Sequence, residues 1–132
     1  MSVPSKNVEG DYATAGFYSD RPEAWHDFLP GVKRRVLVNN SAATAAMFRV
    51  VPGGEVPVHS HSQSQYGVCL EGSGVFTVGD RSWRLKKGDS YYIPPSVRHG
   101  VRFDPGVGAV LVEFFTPMRR EMLRETFASE GP

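Results

Sequence analysis

Cysteine is almost missing from this chain. Cys69 stands alone among 132 residues, so no intrachain disulfide can form, and a reducing, cytoplasmic setting is the simplest reading. An excess of one charge is missing too. Fifteen basic residues face fourteen acidic ones, for a net of +1. The one basic run, Lys33-Arg34-Arg35, reads as a solvated face. Without a basic stripe, nucleic acid is not an expected partner. No apolar run approaches the roughly 20 residues of a spanning helix, and the opening stretch MSVPSKNVEGDYATAG has no apolar core of signal-peptide length. Neither a membrane partner nor an export leader is expected. Internal repeats and low-complexity blocks are also lacking.

What the chain has in quantity is punctuation. Ten prolines and fourteen glycines cut it into short pieces, which favours many short strands over long helices. Residues 1–30 read as an N-terminal arm, with a brief helical turn at 22–26 where Asp20 caps and Pro22 starts. Residues 31–132 read as a single domain, long enough to bury a core. Strands are expected at 36–38, 45–50, 56–61, 66–70, 75–78, 82–85, 91–93, 101–103 and 107–115, with Gly79-Asp80 as a hairpin turn. Thr116-Pro117 then opens a short C-terminal helix, in which Met118, Met122, Leu123 and Phe127 recur at helical spacing and pack on the domain. The pattern is all-β, a sandwich or small barrel.

Chemistry concentrates in the stretch GGEVPVHSHSQSQYGVCLEG, residues 53–72. Alternation along a strand points His59 and His61 the same way, about 7 Å apart at a rise of ~3.3 Å per residue. Gln65 follows a short turn and can return to the same face. His99 follows the Pro94-Pro95 break, while His26 has no such company. An HxH pair alone more often means nothing than a metal site.

The frame around it is more specific. Gly53, His59, His61, Gln65 and Gly72 keep the spacing of the first cupin motif, with glutamine where that motif has glutamate. Gly88, Pro94 and His99 keep the spacing of the second, with Ser96 and Phe103 replacing a glycine and an asparagine. The chain therefore resembles a single-domain cupin. That resemblance implies a double-stranded β-helix, or jelly-roll barrel, and a divalent metal ion (zinc, nickel, manganese or iron) held by His59, His61, Gln65 and His99. It also implies a homodimer. A glutamine oxygen coordinates without charge. The ion then keeps its full positive charge, which favours an anionic substrate and Lewis-acid chemistry.

The ending at Glu113-Phe114-Phe115-Thr116-Pro117-Met118-Arg119 is similar to that of the KdgF-type cupins, which process unsaturated uronates. In that family the acid, the aromatic ring and the arginine serve the substrate site, so Glu113, Phe115 and Arg119 are the expected catalytic residues. Glutamate stands here for the usual aspartate. From the residues alone, Glu113 either faces the barrel interior or pairs with solvent or with Arg102 or Arg119. Arg49 either lies on the outer face or reaches into the pocket. Tyr66, Tyr91, Trp83, Phe48 and Phe76 read as core or rim packing. The leading expectation is a metal-dependent isomerase or lyase acting on a small anionic sugar acid. An iron-dependent dioxygenase, a polyketide cyclase and a binding barrel without turnover are the alternatives.

Overall fold

Inward apolar side chains alternating with outward polar ones organise most of the chain into strands. A computed structural model describes residues 12–125, with the backbone alone of 4–6 and 127–129. The strands are β1 (Pro4–Lys6), β2 (Trp25–Leu29), β3 (Val32–Asn39), β4 (Thr44–Val50), β5 (Glu55–His59) and β6 (Ser64–Glu71). They continue with β7 (Ser73–Val78), β8 (Arg81–Lys86), β9 (Ser90–Ile93), β10 (His99–Phe103), β11 (Ala109–Thr116) and β12 (Phe127–Ser129). One sheet has the order β2-β3-β4-β11-β6-β9, a second β5-β10-β7-β8, and β1 pairs with β12. The strand pairs are antiparallel.

The two larger sheets close on one core. Val32, Phe48, Leu111 and Phe115 come from the six-stranded sheet, and Phe76, Leu85, Val101 and Phe103 from the other. Each such side chain contributes about 1.5–3 kcal/mol by leaving water. Cys69, at the middle of β6, is fully enclosed. The architecture is the expected all-β jelly-roll barrel. Among the described residues, no helix is long and apolar enough to cross a membrane.

Several elements depart from the sequence reading. Residues 25–29, inside the expected arm, form β2 and pair with β3. The turn before them is a 3-10 turn at Pro22–Ala24. The strand expected at 56–61 stops at His59. The C-terminal helix is a six-residue 3-10 stretch, Arg120–Glu125. Phe115 and Thr116 stay paired with Gln65 and Ser64 in the sheet, so Thr116 cannot cap a helix. Met118 and Met122 are buried as expected, but Phe127 belongs to β12 and its side chain lies outside the described residues. The basic run is not a solvated face either. Lys33 is exposed, but Arg34 and Arg35 are both buried: Arg34 shares the inward face of β3 with Val32 and Val36 and meets Glu125, and Arg35, on the other face, donates to the carbonyl of Tyr18 and lies beside Asp20.

Candidate metal centre

His59 closes β5 and His99 opens β10, and the two are direct cross-strand partners with ring centroids 4.4 Å apart. β10 carries a register shift between His99 and Val101, with Gly100 between them. That glycine lets β5 come close, since a Cβ there would sit 2.9 Å from the carbonyl oxygen of Val56. His61 lies two residues past the end of β5, its ring 5.8 Å from that of His59 and 4.9 Å from that of His99. The ligating nitrogens of the three histidines all lie within 4.8 Å of one another. They are positioned to hold a metal ion.

Each ring is oriented from behind. Nδ1 of His59 donates to the carbonyl of Pro57 at 2.8 Å, that of His61 to Gln63 at 3.0 Å, and that of His99 to Val97 at 2.9 Å. A carbonyl only accepts, so Nδ1 carries a proton, and in a neutral ring Nε2 then presents its lone pair. Nε2 of His99 is buried and has no hydrogen-bond partner. Burial, above all, lowers the pKa of this imidazole to about 4, with the backbone bond to Val97 opposing and the other two histidines adding to the fall. Burial, then Arg119, lowers that of His61. Neutral imidazoles are the form that binds metal.

Gln65 enters from β6, opposite Phe115 of β11. Its Nε2 donates to Oε2 of Glu113 at 2.6 Å, and its Oε1 lies 2.8 Å from Nε2 of His61. The carboxylate accepts only, so it draws the amide NH2 to itself and turns the carbonyl oxygen toward the histidines. Two acceptors then face each other at 2.8 Å. They repel unless a cation lies beside them. This opposition and the orphaned nitrogen of His99 both fit a bound divalent ion.

Glu113 shares the inward face of β11 with Leu111 and Phe115 and is buried. Its Oε2 also accepts from the hydroxyl of Tyr91 at 2.5 Å. Burial raises the Glu113 pKa, opposed by the bonds from Tyr91 and Gln65 and by Arg119. It pairs with neither Arg102, which meets Glu55 on the surface, nor Arg119. Phe115 packs edge-on to His61, with ring centroids 5.5 Å apart, and the guanidinium of Arg119 lies 4.9 Å from the Phe115 centroid. The backbone N–H of Arg119 donates to Thr44 Oγ1 at 2.8 Å, which ties the start of the C-terminal segment to β4. His59, Gln65, His99, Glu113, Phe115 and Arg119 therefore border one cavity, of about 40 Å³.

Two residues of this site escaped the sequence reading. Arg34 lines the same cavity; charge runs usually lie in water, and nothing in KRR shows which member turns inward. Tyr91 read as packing, yet it holds Glu113. The signal was Gly67, whose lack of a side chain the ring of Tyr91 fills. Arg49 is on the outer face, stacked 4.0 Å from the ring centre of Trp25.

Residues 46–114, just over half of the chain, match the cupin domain family. The chain belongs to the cupin family. A relative, the H2HPP isomerase of Bacillus subtilis, is 30% identical over 95 residues; these are 69% of this chain but only 39% of that protein. Among solved structures, an RmlC-like cupin from Shewanella frigidimarina is 29% identical with a TM-score of 0.75, over 83% of this chain and 96% of that one. KdgF from a Halomonas species is 23% identical with a TM-score of 0.72, over 80% and 98%. This cupin thus shares its barrel with KdgF, and at that identity the likeness concerns the fold.

Proposed function

We propose that this cupin is a metal-dependent enzyme acting on a small anionic substrate, with ring opening or isomerisation of an unsaturated uronate as the specific reaction. The observation that carries this reading is the orientation of Gln65, whose carbonyl oxygen is turned toward the histidine cluster by Glu113. His59, His61, Gln65 and His99 would hold a divalent ion, which supplies Lewis-acid polarisation of a carbonyl or carboxylate oxygen. A ligand set without charge leaves the pocket electropositive, and that suits an anion. Arg119 holds the substrate carboxylate, and Phe115 walls the pocket beside it. Glu113 takes a proton from carbon through Oε1 and returns it to another atom of the same substrate, so no oxidant or reductant is consumed. Tyr91 and Gln65 hold Oε2 in place meanwhile. Two likenesses support this reading: the barrel shared with KdgF and a relative named as an isomerase.

Metal analysis of the purified protein, paired with an assay on 4,5-unsaturated galacturonate under nitrogen, tests it. The expected result is a bound divalent ion that is lost in His59→Ala, together with turnover that needs no oxygen. Glu113→Gln is expected to lower kcat by about 10²–10⁴-fold, the usual contribution of a positioned acid or base, while metal still binds. Wild-type kcat in that variant would remove Glu113 from the chemistry. Iron with turnover only in oxygen would make the protein a dioxygenase instead.

A further inference from the structure

Two guanidinium groups border the cavity, and one short segment holds both. Arg34 lies 4.1 Å from the ring centre of Phe28 and donates from Nε and Nη2 to the two carboxylate oxygens of Glu125, at 2.8 and 2.5 Å. Arg119 donates from Nε to Oε1 of Glu121 at 2.6 Å. Both acids come from the 3-10 stretch Arg120–Glu125, seated on β3 through the fully buried Met122. The arginine side chains are only 9% and 16% exposed. With about 40 Å³ inside, the cavity has room for an ion and a few waters. That volume is too small for an organic acid of several carbons.

We infer that Arg34 and Arg119 are a carboxylate-binding pair of this site, and that Glu125 and Glu121 occupy it in place of a ligand. The inference deepens, and rests on, the anionic-substrate reading above. The planar fork of arginine recognises a carboxylate through two parallel bonds, and Glu125 already makes that pair of bonds on Arg34. An incoming carboxylate reproduces both and releases Glu125 to water. Arg34 is never left as a buried, unpaired cation, which is the costly state. A 3-10 stretch has poorer internal hydrogen bonding than an α-helix, so little regular structure is lost when it moves. The ligand class is a small organic acid whose carboxylate the pair holds; in a dicarboxylate each arginine can take one group.

Calorimetric titration of the full-length protein as purified, with malonate and with succinate, tests this without requiring turnover. Glu125→Gln removes the competing acid and is expected to bind either probe about tenfold tighter than wild type, on the scale of one charge-assisted hydrogen bond. Arg34→Gln/Glu125→Gln keeps a neutral hydrogen-bonding pair and so guards against misfolding; it is expected to bind more weakly than wild type. Backbone hydrogen exchange across 120–125 is expected to quicken when malonate is added to wild type. Unchanged affinity in Glu125→Gln, slowed exchange over 120–125, or no binding in any variant would overturn the inference. Binding that follows this pattern without uronate turnover would refute the enzymatic reading and keep this one.

Discussion

Glu113, Gly67 and Tyr91 lie side by side across three neighbouring strands, in the register Glu113 to Gly67 and Gly67 to Tyr91. The middle position has no side chain, so the phenol of Tyr91 crosses it to reach the carboxylate. A Cβ on Gly67 would stand 2.6 Å from the Tyr91 hydroxyl and closer still to its ring. The row acts on the metal centre only through Gln65. Groups that orient a ligand are worth about 10–100-fold in metal affinity or activity. Tyr91→Phe is therefore expected to weaken metal binding by about tenfold, measured by competition with a chromophoric chelator, while the melting temperature hardly changes. Gly67→Ala should do the same and destabilise the barrel as well. Equal metal affinity in Tyr91→Phe would reduce Tyr91 to packing. That Glu113 shares a face with Phe115 was legible from strict alternation, but which way that face looks was not, since alternation does not tell the inside of a barrel from the outside. The role of Tyr91 was not legible either, since it depends on which residue of a distant strand lies alongside.

Among elements, β10 shows how strand pairing sets the site. Its two ends meet glycine contacts of different consequence. A Cβ on Gly100 would press on the backbone of β5 at Val56 and Val58, the strand that carries His59. A Cβ on Gly74 of β7 would come within 2.8 Å of Cα of Phe103, and nearer to the Arg102 carbonyl, at the end remote from the histidines. Both Gly100→Ala and Gly74→Ala are expected to cost about 1–3 kcal/mol by overpacking, read from urea midpoints. Only Gly100→Ala should also lower metal affinity, because it parts His59 from His99. If both variants bind metal like wild type, the close approach of β5 is not what assembles the centre. Turn glycines and prolines made most of these strands legible. β2 was hidden because an edge strand such as WHDFL shows no clean alternation, with its side chains half-buried rather than sorted in and out. The C-terminal helix was over-read, since Met118 and Met122 fit helical spacing but are equally buried by an irregular segment that begins only after sheet pairing ends.

Across the whole molecule, the buried imidazoles tie stability to pH. The folded protein lowers the pKa of His99 to about 4, whereas the unfolded chain takes up that proton near 6.5. The unfolded state thus binds more protons between those values. The stability due to neutral His99 is complete above about pH 6.5 and is lost as pH falls toward 4. His61 shifts the same way. Glu113, raised by burial, works oppositely above its ordinary range. The difference between wild type and His99→Asn isolates the imidazole. In metal-free protein, urea midpoints at pH 7.5, 6.0 and 4.5 are expected to fall more steeply for wild type than for His99→Asn. A constant gap would mean that His99 does not titrate with unfolding.

The burial of Cys69 has a further use. Its thiol has no exposed surface, and the residue lies opposite Leu111 of β11 on one side while its backbone N–H donates to the Asp89 carbonyl on the other. Burial also raises its pKa, which holds it in the unreactive thiol form. A maleimide or iodoacetamide in solution meets this sulfur only when the barrel has come apart. The chain thus carries its own chemical stopwatch. One alkylation event per molecule records one opening, at a single atom, with no engineered label.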